Sequence, residues 1–275
     1  MAKLSIDELK AKAKELRTLI IDTTVWAGSG HYGGALSSAD ILTALYFRYL
    51  NLDPSNPDWE DRDRFILSKG HSGLGYIPCL HLKGYFPVDD LKNFNHFMSP
   101  FGMHPDCHKV KGCDASTGSL GHGLPMGLGM ALGARLLKKP FKTVVLLGDG
   151  ECDEGSNYEA MMAAAHYKTD NLIAIVDRNQ LMIDGFTEDV MSLEPFADKW
   201  KAFNWDVIEC DGHNMEELCA ALDKAWAANS GKPTVIIAKT VKGKGVKFLE
   251  NDVRSHYGAF DSAKAEEAKQ DIANS

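Results

Sequence analysis

Between residues 143 and 176 the chain reads strand, helix, strand, and no other feature limits its fold as sharply. Residues 143–147 are a short β-branched and Leu run, 158–167 are rich in Ala and Met, and 172–176 are a second apolar run. Short apolar runs at this spacing predict a right-handed βαβ unit whose parallel strands are covered on both faces. The pattern repeats with a strand over 205–209, a helix over 215–228 and a strand over 234–238. The expected class is α/β, a parallel sheet with helices on both faces. No repeat, linker or charge block interrupts the sequence, so one domain over 1–275 is expected, with its core over about 7–260 and a frayed tail over 261–275.

Composition narrows the function classes. The 275 residues are 44% hydrophobic, and 30 Lys and Arg stand against 38 Asp and Glu, a net charge of −8. That apolar content excludes disorder, and the lack of basic excess argues against a nucleic-acid partner. Apolar runs reach about five residues, far short of the roughly 20 of a membrane helix. The first 17 residues mix Lys, Glu and Asp with Leu and lack a signal peptide's apolar stretch, so a cytoplasmic protein is expected. The six cysteines form no CxxC pair and read as reduced thiols.

In the first half, Ser5 and Glu8 make a capping-box pattern ahead of Leu9, Ala13, Leu16 and Ile20 at helical spacing. A glycine-rich turn over 28–34 precedes a helix expected over 38–49, capped by Ser37 or Ser38. Residues 51–63 read as loop. Segments 68–75, 100–108 and 112–123 are rich in Gly, His, Ser and Pro, and long irregular segments in a compact domain usually carry function. A small-residue helix is expected over 125–137, where Gly127, Gly129 and Gly133 permit close packing.

The chemistry-bearing text is Gly148-Asp149-Gly150-Glu151 at the carboxyl end of one expected strand, with Asp177-Arg178-Asn179-Gln180-Leu181 at the end of the next. Open α/β sheets bind ligands at that edge. A carboxylate, an amide oxygen and a main-chain carbonyl are hard donors suited to Mg²⁺ or Ca²⁺, and the glycines would let a diphosphate approach the backbone. Gly-Asp-Gly after a strand is also a common turn. Spacing alone leaves both readings open.

Gly148-Asp149-Gly150 with Asn179 thirty residues beyond Asp149 resembles the thiamine diphosphate motif. Gly148-Asp149-Gly150-Glu151-Cys152-Asp153-Glu154-Gly155 and Asp177-Arg178-Asn179-Gln180-Leu181 resemble transketolase in particular. So do Ser29-Gly30-His31 with Gly33-Gly34, Ser68-Lys69-Gly70-His71, Gly102-Met103-His104-Pro105-Asp106, Thr117-Gly118-Ser119-Leu120-Gly121-His122-Gly123 and Lys242-Gly243-Lys244-Gly245, in family order.

This resemblance implies a thiamine diphosphate-binding domain of the diphosphate type. The implied activity moves a two-carbon ketol unit from a ketose phosphate to an aldose acceptor through a thiamine diphosphate carbanion, as in pentose phosphate metabolism. Asp149, Asn179 and the Leu181 carbonyl would hold Mg²⁺ (or Ca²⁺). Gly150, His71, Lys242 and His256 would bind the cofactor, and Gly118, Ser119 and Leu120 would line its cleft. His31, His71, His104 and His256 are the implied catalytic histidines, and Glu154 the acidic residue linking cofactor sites across a subunit interface. In the family a second domain contacts the pyrimidine ring. Residues up to Ser275 leave no room for it, so the expected partner is a C-terminal transketolase chain, two copies of each, with sugar phosphates as substrates and no nucleic acid or membrane.

Four departures stand out. Tyr32 replaces a Pro frequent in the family, Ser72-Gly73-Leu74-Gly75 replaces Ala-rich text so that the helix after His71 would start late, and Ser255-His256-Tyr257-Gly258 replaces Trp-His-Gly. His122 replaces Gln and could reach the cofactor or cap its loop. His81, His96, His166 and His213 are assigned structural or surface roles. His104, Cys107, His108 and Cys113 resemble a zinc set, against which their irregular spacing argues, and Cys152 reads as a packing residue. The alternatives are a deoxyxylulose-phosphate synthase-like or 2-oxoacid dehydrogenase-like subunit, or a non-catalytic cofactor-binding scaffold; His31, His71 and His104 favour ketol transfer. No GxxxxGK[ST] or GxGxxG supports a nucleotide.

Overall fold

The computed structural model describes residues 3–275. Among them, five parallel strands form the central sheet: β1 (Arg64–Leu67), β2 (Thr143–Gly148), β3 (Leu172–Arg178), β4 (Asp206–Asp211) and β5 (Thr234–Lys239), in spatial order β1-β2-β3-β5-β4. In chain order the helices are α1 (Ile6–Ala27), α2 (Tyr32–Ser37), α3 (Ala39–Ala44), α4 (Gly73–Lys83), α5 (Val88–Leu91), α6 (Gly123–Leu136), α7 (Gly155–His166), α8 (Thr187–Val190), α9 (Phe196–Ala202), α10 (Met215–Ala227) and α11 (Ser262–Asn274).

The strands are apolar throughout because both of their faces are buried. Val144, Leu146, Ile173, Ile175 and Ile236 face the core shared with α1, α3, α4 and α10. Val145, Leu147, Ala174, Val176 and Val235 face the opposite core, with α6, α7 and α9. This is the two-residue alternation of a pleated strand. Gly127 lets α6 settle onto β2: a Cβ there would lie 2.4 Å from Val145 Cγ2. Gly148 pairs with Asp177 in register, so the residues just past β2 and β3 emerge side by side.

Several local expectations are corrected. The helix expected over 38–49 is broken into α3 and a π-helical turn, Leu45–Tyr49, and α2 begins inside the glycine-rich turn. Ser38 stands at the N-cap of α3 but makes no side-chain cap: its hydroxyl donates backwards to Gly34 O at 2.8 Å, and Ser37 donates to Asp177 at 2.6 Å. Segment 68–75 is largely helical, a 3₁₀ turn (Gly70–Ser72) running into α4 at Gly73. β1 is four residues long, too short to show a period in the sequence. The tail does not fray. Asp261 caps α11, whose Ala265, Ala268 and Ile272 are buried in the core that also contains α1's Leu9, Leu16 and Ile20. The Ser5–Glu8 capping box forms as expected. Among the described residues no helix is long and apolar enough to cross a membrane.

Candidate active site

Each of four strand ends delivers one residue to the same edge of the sheet. His71 follows β1, Asp149 follows β2, Asn179 follows β3 and Lys242 follows β5, with the strands adjacent in that order. They line a cleft of about 320 Å³ together with His31, Gly118, Leu120, Gly150, Leu181 and His256. The glycine-rich turn brings His31 there through close backbone packing. Gly30 and Gly258 exchange main-chain hydrogen bonds of 2.8 and 3.1 Å, and a Cβ at Gly33 would strike Ser255 O at 2.4 Å. Tyr32 packs its ring 4.7 Å from that of Phe260, which accommodates the first departure from the family text.

The histidine rings form a cluster. His31 lies 5.3 Å from both His71 and His256, and His71 stacks on His256 at 5.4 Å. Burial, with the charges of His104 and Lys242, lowers His31 to about 4; burial and Lys242 do the same to His256. His71 is lowered to about 2 by burial and by Lys69 beside it. All three imidazoles are therefore neutral at pH 7. His104 is exposed at the mouth, 6.5 Å from His31 and across from Gly118.

Asp149 is buried. Its carboxylate accepts from Gly150 N (2.8 Å) and Gln180 N (2.5 Å), with Arg178 Nη1 at 3.3 Å. Burial and the nearby Asp177 raise its pKa, against Arg178, whose guanidinium is shared with Glu188 and Glu194. Asn179 donates its amide to Asp177 (3.3 Å), and its Oδ1 accepts from Leu181 N (3.1 Å). Lys242 Nζ donates to Leu181 O (3.0 Å), Met182 O (3.2 Å) and His256 Nδ1 (2.9 Å). Burial lowers Lys242 to about 8. The carboxylate, amide oxygen and carbonyl suit a divalent cation, and the histidines and lysine suit an anionic ligand with a polar head. The buried Nδ1 of His31, with no protein partner, fits a site completed by a ligand.

Of the remaining expected residues, Ser119 is exposed outside the cleft lining. Glu154 is exposed at the start of α7, beside Gly121. His122 is exposed before α6 and makes no cap. Asp106, Cys107 and His108 place donor atoms within 4.8 Å of one another, whereas Cys113 is buried with its thiol on Ala115 O. Cys152 is buried, and burial pushes its thiol well above the ordinary range, as suits a packing residue.

The sequence carries no signal for a buried ion pair at the cleft wall, to which Lys69 contributes. Lys69 and Asp177 form a salt bridge; Lys69 also donates to Gly34 O (2.8 Å), and Thr240 donates to Asp177. Glu151 likewise ties Ser68, Gly121 N and Gly148 N together. Both carboxylates lie in motifs whose recognisable members are Asp149 and Asn179, and a buried ion pair has no periodic signature.

The family model described as transketolase, thiamine diphosphate binding domain, matches residues 8–274. The chain is 43% identical over 256 residues to the 6-deoxy-6-sulfo-D-fructose transketolase subunit SqwG of Clostridium sp. (strain MSTE9), covering 93% of this chain and 92% of that protein. It is 41% identical over 269 residues to an apulose-4-phosphate transketolase subunit of Phocaeicola vulgatus, covering 98% and 95%. Among solved structures, transketolase from Campylobacter jejuni superposes with a TM-score of 0.93 at 34% identity, over 98% of this chain and 43% of that one. These matches favour transketolase over the deoxyxylulose-phosphate synthase and 2-oxoacid dehydrogenase alternatives. With its parallel sheet and its cleft at the strand ends, the chain belongs to the transketolase family as a thiamine diphosphate-binding subunit.

Proposed function

We propose that this chain is the N-terminal, cofactor-binding half of a two-chain transketolase, active with a partner that supplies the pyrimidine-binding domain. One observation carries the reading: His71, Asp149, Asn179 and Lys242 converge from four adjacent strand ends on a chain that matches subunits over nearly their whole length and a one-chain transketolase over 43% of its own. The cleft rim supports a covering partner, since Ile183, Phe186, Val190 and Met191 are exposed apolar side chains there and on the segment that follows. Two copies of each chain make the smallest closed assembly with two complete sites. Its free cysteines suit the reducing cytoplasm.

Asp149, Asn179 and the Leu181 carbonyl would hold Mg²⁺, or Ca²⁺, against the diphosphate. His71, Lys242, Gly150, Gly118 and Leu120 would hold the cofactor itself, with Ser119 next to them just outside the cleft lining. Bound thiamine diphosphate supplies the electron sink for breaking the carbon–carbon bond beside a ketose carbonyl. The protein's own part is proton handling and orientation. His256 Nδ1 accepts from Lys242, so its Nε2 carries the proton and can donate to a substrate oxygen. His31 Nδ1 has no protein partner and is free to exchange a proton with a substrate hydroxyl. His104, at the mouth, would meet the sugar beyond the cleft, and Glu154 would face the neighbouring cofactor site.

Tagging this chain, expressing it with its genomic neighbours and identifying what copurifies tests the proposal. The complex and the isolated chain are then assayed for ketol transfer from xylulose 5-phosphate, with apulose 4-phosphate in parallel, in the presence of thiamine diphosphate and Mg²⁺. Turnover by the complex alone is expected. Turnover by the isolated chain would overturn the two-chain reading, and a complex that binds no thiamine diphosphate would overturn the cofactor reading.

A further inference from the structure

The segment carrying Lys242 is pinned from behind by a histidine outside the cleft. His213 lies between β4 and α10, its side chain only 12% exposed. Its Nε2 is 2.8 Å from Val241 N, and its Nδ1 is 2.7 Å from Asp40 Oδ2. A main-chain amide can only donate, so Nε2 is the acceptor and the ring proton sits on Nδ1, donated to Asp40. Asp40, on α3, is gripped by both terminal guanidinium nitrogens of Arg17, on α1. Against the cost of burial, Arg17 and His213 hold the Asp40 carboxyl down to about 2, so it is an anion throughout the neutral range. Three elements distant in sequence thus fix one tautomer of one imidazole.

That imidazole holds the Thr240–Val241 peptide, one residue ahead of Lys242. The amides of Thr240 and Gly243 bond main-chain carbonyls, at 3.1 Å to Arg178 O and 3.0 Å to Gly33 O, whereas the Val241 amide depends on the His213 side chain. Lys242 Nζ lies within hydrogen-bond reach of Leu181 O, Met182 O and His256 Nδ1 at the cleft, so where its ammonium meets a ligand there depends on where its backbone stands.

We propose that His213, its tautomer set by Asp40 and Arg17, is a positioning residue for Lys242 and thereby for the diphosphate of thiamine diphosphate. This rests on the cofactor site proposed above. Removing the imidazole takes the protein acceptor from the half-buried Val241 amide and loosens the backbone that leads into Lys242.

The test uses the copurified two-chain complex at saturating Mg²⁺, with thiamine diphosphate affinity measured by calorimetry and kcat measured at saturating cofactor. His213→Ala should weaken cofactor binding about tenfold, the scale of one lost hydrogen bond, while kcat falls far less. His213→Phe keeps the ring volume without either nitrogen and should show the same loss. His213→Gln, whose amide can donate to Asp40 and accept from Val241, should recover most of the affinity. Wild-type affinity in both His213→Ala and His213→Phe, or a Gln variant as weak as the Ala variant, overturns the assignment. Asp149→Ala serves as the control: if it too binds thiamine diphosphate normally, the cofactor site itself is misplaced. If it alone loses binding, only the His213 inference fails.

Discussion

Asp149 sits where a carboxylate is costly, buried and near Asp177, with two backbone amides and one guanidinium nitrogen, of an Arg178 shared with Glu188 and Glu194, for compensation. A divalent cation would relieve that imbalance and bridge to a diphosphate. Asp149→Ala should weaken Mg²⁺-dependent thiamine diphosphate binding by about 100-fold or more, read by calorimetry with and without metal; an unchanged affinity removes the metal assignment. His31 makes the opposite prediction. Its ring is neutral and its Nδ1 unpartnered, so His31→Ala should leave cofactor affinity intact and cut turnover by about 10²–10⁴. Wild-type turnover there would make His31 a structural residue. At this scale the sequence was legible where function compresses into contiguous text, as in Gly148-Asp149-Gly150 and Asp177-Arg178-Asn179. It was silent on Lys69 with Asp177 and on His213 with Asp40, because those partners stand 108 and 173 residues apart.

Among the elements, α11 overturned the plainest expectation. Its Ala-rich, charged text resembles a solvated tail, yet Ala265, Ala268 and Ile272 recur at intervals of three and four and lie in the core beside α1. Ile272→Ala should cost about 2–5 kcal/mol, seen as a lowered midpoint in urea. A loss within error would return the segment to a frayed tail. The turn after β1 is as tightly constrained. A Cβ at Gly70 would lie 2.4 Å from Thr117 O, a main-chain atom that cannot rotate away, so Gly70→Ala should destabilise by about 1–3 kcal/mol and displace His71. Unchanged stability in that variant would show that the backbone yields. The long strands and α10 were readable from period and length, whereas β1, with four residues, and the helical segment at 70–83, with three glycines and Pro78 in its text, were not.

For the molecule as a whole, the buried histidines tie stability to pH. His31, His71 and His256 titrate near 4, 2 and 4 when folded, against about 6.5 in an unfolded chain. Between about pH 6.5 and 4 the unfolded chain binds protons that the folded one refuses, so stability rises with pH there and falls on acidification. Asp149 and Glu151, raised by burial, act in the opposite direction, and the histidine share is read from a comparison of wild type with His71→Gln. Thermal midpoints from pH 7 to 4.5 should fall less steeply in the variant; parallel slopes would mean that His71 charges freely when folded. The α/β class, the parallel pairing and the diphosphate-motif text followed from sequence alone, because strand period, helix period and contiguous motifs are local properties. Only the tertiary structure decided that β5 inserts between β3 and β4, which brings Lys242 beside Asn179 and Leu181. It also selected, from ten histidines, the three rings that gather in the cleft and the one that grips Val241 from behind. Those choices depend on which strand ends and turns become neighbours, and that is set by burial across the whole sheet rather than by any window of sequence.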